Sequence, residues 1–109
     1  LSHFAALLRA EVRSGDIVGR IGGEEFAMVL PNTGADAAIT HAARVQQRAS
    51  RTPMLHGDEP VTLTVSIGID IMRTTDVGVD QSLSRGDRAL YRAKERGRNR
   101  IEVYGDEAC

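Results

Sequence analysis

A chain of 109 residues and 11.8 kDa fits one domain and leaves no room for two. Lys plus Arg number 14 against 15 Asp plus Glu, and the formal net charge of -1 excludes a generally basic nucleic-acid binder and a solvating acidic tail. With 4% aromatics the core must be aliphatic and alanine-rich, and a single cysteine, Cys109, excludes a disulfide framework and a cysteine-based zinc site.

Leu1, Phe4, Ala5, Leu8 and Val12 repeat at helical spacing, which predicts a helix to about Arg13 with Gly15 as its stop. That apolar face is already running at the first residue, so we expect sequence upstream of Leu1. Ile17 to Ile21 and Phe26 to Leu30 are short apolar runs around Gly22-Gly23, the signal of a hairpin whose turn needs positive φ. The second run lacks alternation and suits a strand buried on both faces. Pro31 stops it, and Thr33-Gly34-Ala35-Asp36 reads as a capped helix start. Ala35, Ala38, Ala42, Val45 and Ala49 then give a second helix a small-residue face.

Arg51 to Pro60 reads as a polar connection. Val61, Leu63, Val65, Ile67, Ile69 and Ile71 alternate with polar or small partners, predicting one long strand over 61–72. A loop around Thr74 to Gly78 leads to a third helix from about Asp80, its expected N-cap, to Arg96. Gly97 ends it, and Ile101 with Val103 marks a last short edge strand. Helices returning over one face of a mixed sheet give a two-layer α/β (α+β) domain, with ferredoxin-like topology as the leading expectation. No run approaches the ~18 apolar residues of a membrane span, and no signal peptide opens the chain. A soluble, cytoplasmic domain is expected.

Two places could carry chemistry. At the hairpin tip, Gly22-Gly23-Glu24-Glu25 is either a turn with solvated charge or a loop whose bare backbone admits a phosphate beside a cation-holding carboxylate. Adjacent strand residues face opposite ways, so Glu24 and Glu25 do not easily share one ion. The third helix and its exit hold seven of the 14 basic residues between Arg85 and Arg100. Arg85, Arg88, Arg92 and Arg96 fall within an arc of about 80° and read as a solvated stripe. Lys94 lies instead on the side of Leu83 and Leu90, expected to face the sheet. It either snorkels along the helix edge or joins Arg98, four residues on, in a phosphate clamp. His3, His41 and His56 are scattered and read as surface or boundary residues.

Gly22-Gly23-Glu24-Glu25-Phe26 resembles the GGEEF form of the signature of GGDEF-domain diguanylate cyclases. Pro31-Asn32-Thr33, Val65-Ser66-Ile67-Gly68 and Asp87 to Lys94 running into Gly97-Arg98-Asn99 resemble that family in the same order, over nearly the whole chain. The resemblance implies a nucleotidyl-cyclase-like fold and the condensation of two GTP into cyclic di-GMP and pyrophosphate. It implies Glu24 as a ligand of Mg2+ (or Mn2+), Glu25 in the active loop, and Gly22 and Gly23 as backbone room for phosphates. Lys94 and Arg98 would contact the β and γ phosphates. Two domains would face each other as a homodimer, each holding one GTP, under an upstream sensory or receiver domain. Arg13-Ser14-Gly15-Asp16 fits the family's RxxD inhibitory motif, implying that Arg13 and Asp16, with Arg44, bind the product.

The resemblance also implies a first strand with a second metal-binding Asp and base-reading residues, all upstream of Leu1. This chain is therefore expected to be a partial, N-terminally truncated GGDEF domain, inactive alone, possessing half a metal site. It could instead come from a catalytically inactive member that senses cyclic di-GMP or GTP. An RNA-binding ferredoxin-like module is disfavoured, because no strand carries paired aromatics for base stacking.

Overall fold

The computed structural model describes residues 2–11, 17–22, 25–30, 33–51, 54–62 and 64–105. Helix α1 spans Ser2–Ala10 and strands β1 and β2 span Ile17–Gly22 and Glu25–Val29. Helix α2 spans Ala35–Arg51, β3 Met54–His56 and β4 Glu59–Val61. Strand β5 spans Ile67–Ile69, α3 Asp80–Glu95 and β6 Ile101–Val103.

The expected hairpin is present. β1 pairs antiparallel with β2, Ile17 opposite Val29 and Gly22 opposite Glu25, with the register shifting between Arg20 and Gly22. β5 pairs parallel with β6, Ile67 opposite Ile101, so α3 is the crossover between two parallel strands. Parallel and antiparallel ladders together match the mixed α/β class. Among the described residues they form two-stranded ladders that no hydrogen bonds join into one sheet.

Packing on α2 joins two of them, the β1–β2 and β5–β6 ladders. Leu7 and Leu8 of α1 bury against Val45 and Ala49 of α2, and Met28, Val65 and Ile67 pack on the same cluster. Nearer the start of α2, Ala38 and Ala42 meet Ile69, with Leu30, Ile101 and Val103 around them. The alanine face of α2 thus lets the helix lie close to both ladders. Ala35, at the helix start, is exposed and outside this face.

Several expectations are corrected. Among the described residues, strand pairing does not run over 61–72: β4 turns back on β3, Met54 opposite Val61, and pairing is next found at Ile67. The polar connection over 51–60 holds that β3–β4 hairpin, with Gly57 at φ 65° in its turn. The N-cap of α3 is Val79 without a side-chain cap; Asp80 lies inside the first turn, where its charge suits the helix dipole. The sheet-facing side of α3 is set by Ala89 and Ala93, both buried, while Leu83 is exposed. His41 is buried, not at the surface, and its Nε2 has no hydrogen-bond partner among the described residues.

Gly68 explains why α3 sits as it does. A methyl group there would collide with the Gly86 carbonyl oxygen and the Leu90 amide nitrogen, and would lie 2.8 Å from Leu90 Cα. Strand and helix meet backbone to backbone at this point.

Candidate functional site: the glycine hairpin and the end of α3

The hairpin brings Gly22 and Glu25 opposite each other at the tip of the β1–β2 ladder. Gly23 and Glu24 lie outside the described residues, as do the side chains of Gly22's and Glu25's neighbours in the strands. Gly22 and Glu25 are thus the described ends of the expected hairpin.

Lys94 and Arg98, the residues expected to form a clamp, are better defined. Lys94 is half-buried in the last turn of α3, and Arg98 is exposed just beyond it. The helix closes in a Schellman motif: the Gly97 N–H donates to the Lys94 carbonyl at 3.5 Å and the Arg98 N–H to the Ala93 carbonyl at 2.9 Å. Gly97, at φ 117°, supplies the left-handed residue that this closure needs. Lys94 and Arg98 thus both lie at the C-terminal end of α3. Across the core, Met28 of β2 packs on the cluster that takes Val65 and Ile67, so the hairpin and the β5–α3–β6 unit are built on common ground.

The arginine stripe of α3 is not simply solvated. Arg85 is 14% exposed and is bound to Asp70 and Asp76, which are 4% and 5% exposed. Its Nε donates to Asp70 Oδ2 at 2.9 Å, and its two terminal nitrogens donate to the two oxygens of Asp76. Arg92 and Arg96 both donate to Glu102 Oε1 on β6, at 3.3 and 3.1 Å. Arg88 alone of the four keeps to the solvated reading. Sequence reasoning missed these carboxylate partners, although Ser82 and Arg85, three apart on one helix face, were a usable signal.

Of the residues expected to bind product, Arg13 and Asp16 lie outside the described residues. Arg44 is exposed on α2 and pairs with Glu11 at 3.4 Å, while Arg48 reaches the other Glu11 oxygen at 3.0 Å. Arg44 also lines an open groove of about 380 Å³ with Asp36, Ala37, Thr40 and His41. Among the described residues no cluster of three His, Cys, Asp or Glu side chains could hold a metal ion. No helix among them is long and apolar enough to cross a membrane.

Residues 1–100 match the family model described as "Diguanylate cyclase, GGDEF domain". The chain is 32% identical over 103 residues to diguanylate cyclase A of Treponema denticola, covering 94% of this chain and 28% of that protein. Among solved structures it is similar to the active GGEEF domain of a diguanylate cyclase from Vibrio cholerae. That likeness has a TM-score of 0.82 and 34% identity, over 95% of this chain and 65% of that one. It is also similar to the GGDEF domain of DgcB from Caulobacter crescentus in complex with c-di-GMP. There the TM-score is 0.87 and the identity 27%, over 94% and 61% of the two chains. This chain thus spans about a quarter of the curated relative's length and under two thirds of either solved domain.

Proposed function

Because this chain belongs to the GGDEF family of diguanylate cyclase domains, we propose that it forms one half of a paired active site that converts two GTP into cyclic di-GMP. What supports the reading most directly is the end of α3, where the Schellman closure keeps Lys94 and Arg98 within one turn of each other. Arg would bind a phosphate in bidentate fashion and Lys would add a point charge. Gly22 and Gly23 would let the β and γ phosphates approach backbone N–H groups.

The family is metal-dependent. Glu24, from the hairpin tip, is the residue that would hold the ion, and Glu25 would sit in the same active loop. A hard carboxylate donor suits Mg2+ (or Mn2+), which is usually bound through one or two carboxylates with the substrate's phosphates completing the shell. When bound, the ion supplies Lewis-acid activation and charge neutralisation. The chain's own residues do the rest: Lys94 and Arg98 fix the triphosphate and offset the charge that grows on departing pyrophosphate. In each half-reaction a 3′-hydroxyl of one GTP forms a bond to the α-phosphorus of the other. The α-phosphorus–oxygen bond to pyrophosphate breaks, and the hydroxyl proton is lost.

Two such reactions close the ring, which requires a homodimer of facing domains. An upstream sensory or receiver domain would bring them together. A second metal-binding carboxylate and base-reading residues belong to the proposed site and are not assigned to residues of this chain. Arg13 and Asp16, with Arg44, form the proposed product-binding site. The domain would work in the cytoplasm, where GTP is available.

Glu24→Gln is the test, since it keeps the volume and removes the charge. In the intact protein it should lower cyclic di-GMP formation at least about 100-fold while leaving the melting curve in place. Near-normal turnover would overturn the metal assignment. An intact protein that binds cyclic di-GMP and never forms it would be a sensor.

A further inference from the structure

Beyond the Schellman glycine, the turn after α3 keeps a backbone that its residues disfavour. Arg98 and Asn99 follow Gly97 into the left-handed region, at φ 63° and 50°. Asparagine visits that region readily, whereas an arginine does so at a cost that its surroundings must offset. Two side chains from other elements do so. Ser66, just before β5, accepts the Asn99 N–H on its Oγ at 3.1 Å. Gln46 of α2 donates from one amide nitrogen to both the Asn99 carbonyl oxygen, at 2.9 Å, and Asn99 Oδ1, at 3.1 Å. The next carbonyl, of Arg100, accepts from the Ile67 N–H at 2.9 Å and starts the β5–β6 ladder.

Arg98 is thus held from both sides, by Ala93 through its own N–H and by a two-element latch at the residue that follows it. We propose that Gln46 and Ser66 are positioning residues for the nucleotide's phosphates, fixing the left-handed turn that aims Arg98 beside Lys94. Neither touches the substrate. This inference rests on the phosphate-clamp reading of Lys94 and Arg98.

The test compares Gln46→Glu, which keeps the shape and loses the donor, Ser66→Ala, and Arg98→Ala in the intact protein. The Michaelis constant for GTP, calorimetric affinity for a non-hydrolysable GTP analogue, and the urea midpoint are read for each. Each latch variant should raise the Michaelis constant and weaken the analogue about three- to tenfold, the effect of one lost hydrogen bond. Ser66→Thr, which keeps the hydroxyl, should restore wild-type values. In an Arg98→Ala background the latch substitutions should add nothing, since the side chain they aim is gone. If Arg98→Ala weakens GTP and the latch variants shift only the urea midpoint, or add their full effect in its absence, the latch inference is wrong and the clamp reading stands. If Arg98→Ala leaves GTP binding unchanged, the clamp reading fails and takes the latch with it.

Discussion

The Arg85 guanidinium gathers two carboxylates that leave the sheet in one loop. Asp70 directly follows β5 and Asp76 lies six residues on, while the Ser82 hydroxyl shares the Asp70 oxygen at 2.9 Å. Arg73 closes the loop from the other side, its N–H donating to Asp76 at 2.8 Å and its guanidinium lying 5.8 Å over the Tyr104 ring. The hydrogen bond from Arg85, and then that from the Arg73 N–H, hold the Asp76 carboxyl below the ordinary value of 3.8. Its pKa is lower folded than unfolded, so its contribution is complete above the ordinary value and is lost as pH falls through the folded one. A melting series from about pH 6 to about pH 2 should show Asp76→Asn with a shallower acid loss than the wild type. Parallel curves would remove Asp76 from the acid limb. Arg85→Met should lower the melting temperature by several degrees more than Arg88→Met, because Arg88 is exposed and Arg85 would leave two carboxylates unpaired. Helical spacing gave these arginines a common stripe; it could not say which of them a distant aspartate would capture, since Asp70 and Arg85 meet only through the tertiary packing of β5 and α3.

Element by element, α3 is placed by what is missing from its seat. At Gly68 the strand meets the helix at the Gly86 carbonyl and the Leu90 backbone, with no side chain between. Gly68→Ala should therefore destabilise the domain by about 3 kcal/mol, since overpacking here presses on backbone that cannot yield by a rotamer change. Gly86→Ala makes the contrasting case. Its Cβ would meet nothing within 4 Å, so it should stabilise the helix by about 0.5–1 kcal/mol. Denaturant midpoints read both, and a harmless Gly68→Ala would refute the close seating. Helix positions were legible because their signal is local: α2 was recoverable from its alanines and α3 from its stop at Gly97. Strand pairing was less so. Alternation over 61–72 describes extended backbone, whereas the ladder depends on partners: β3 takes residues 59–61 and β6 takes 67–69.

At the scale of the molecule, the proposed chemistry by two facing domains would make activity depend on their encounter. Specific activity of the intact protein should climb with protein concentration and then level, as read from cyclic di-GMP formed across a dilution series. A flat response across the association range would argue against paired half-sites. The candidate site was legible as far as its residues are consecutive: the glycine hairpin and the basic end of α3 stand in the sequence as motifs. Gln46 and Ser66 were not, because an amide on α2 and a hydroxyl before β5 acquire meaning only once the turn at Asn99 folds between them. The backbone seat of α3 bears on how this protein tolerates change. Side-chain cushions let a helix drift as neighbouring volumes are traded, but a helix resting on a bare strand has its height fixed by peptide geometry. Core substitutions elsewhere should therefore shift the end that carries Lys94 and Arg98 less than a side-chain cushion would allow. The joint at Gly68 and Gly86 thus acts as a mechanical datum, separating drift in the rest of the fold from the alignment of its chemistry.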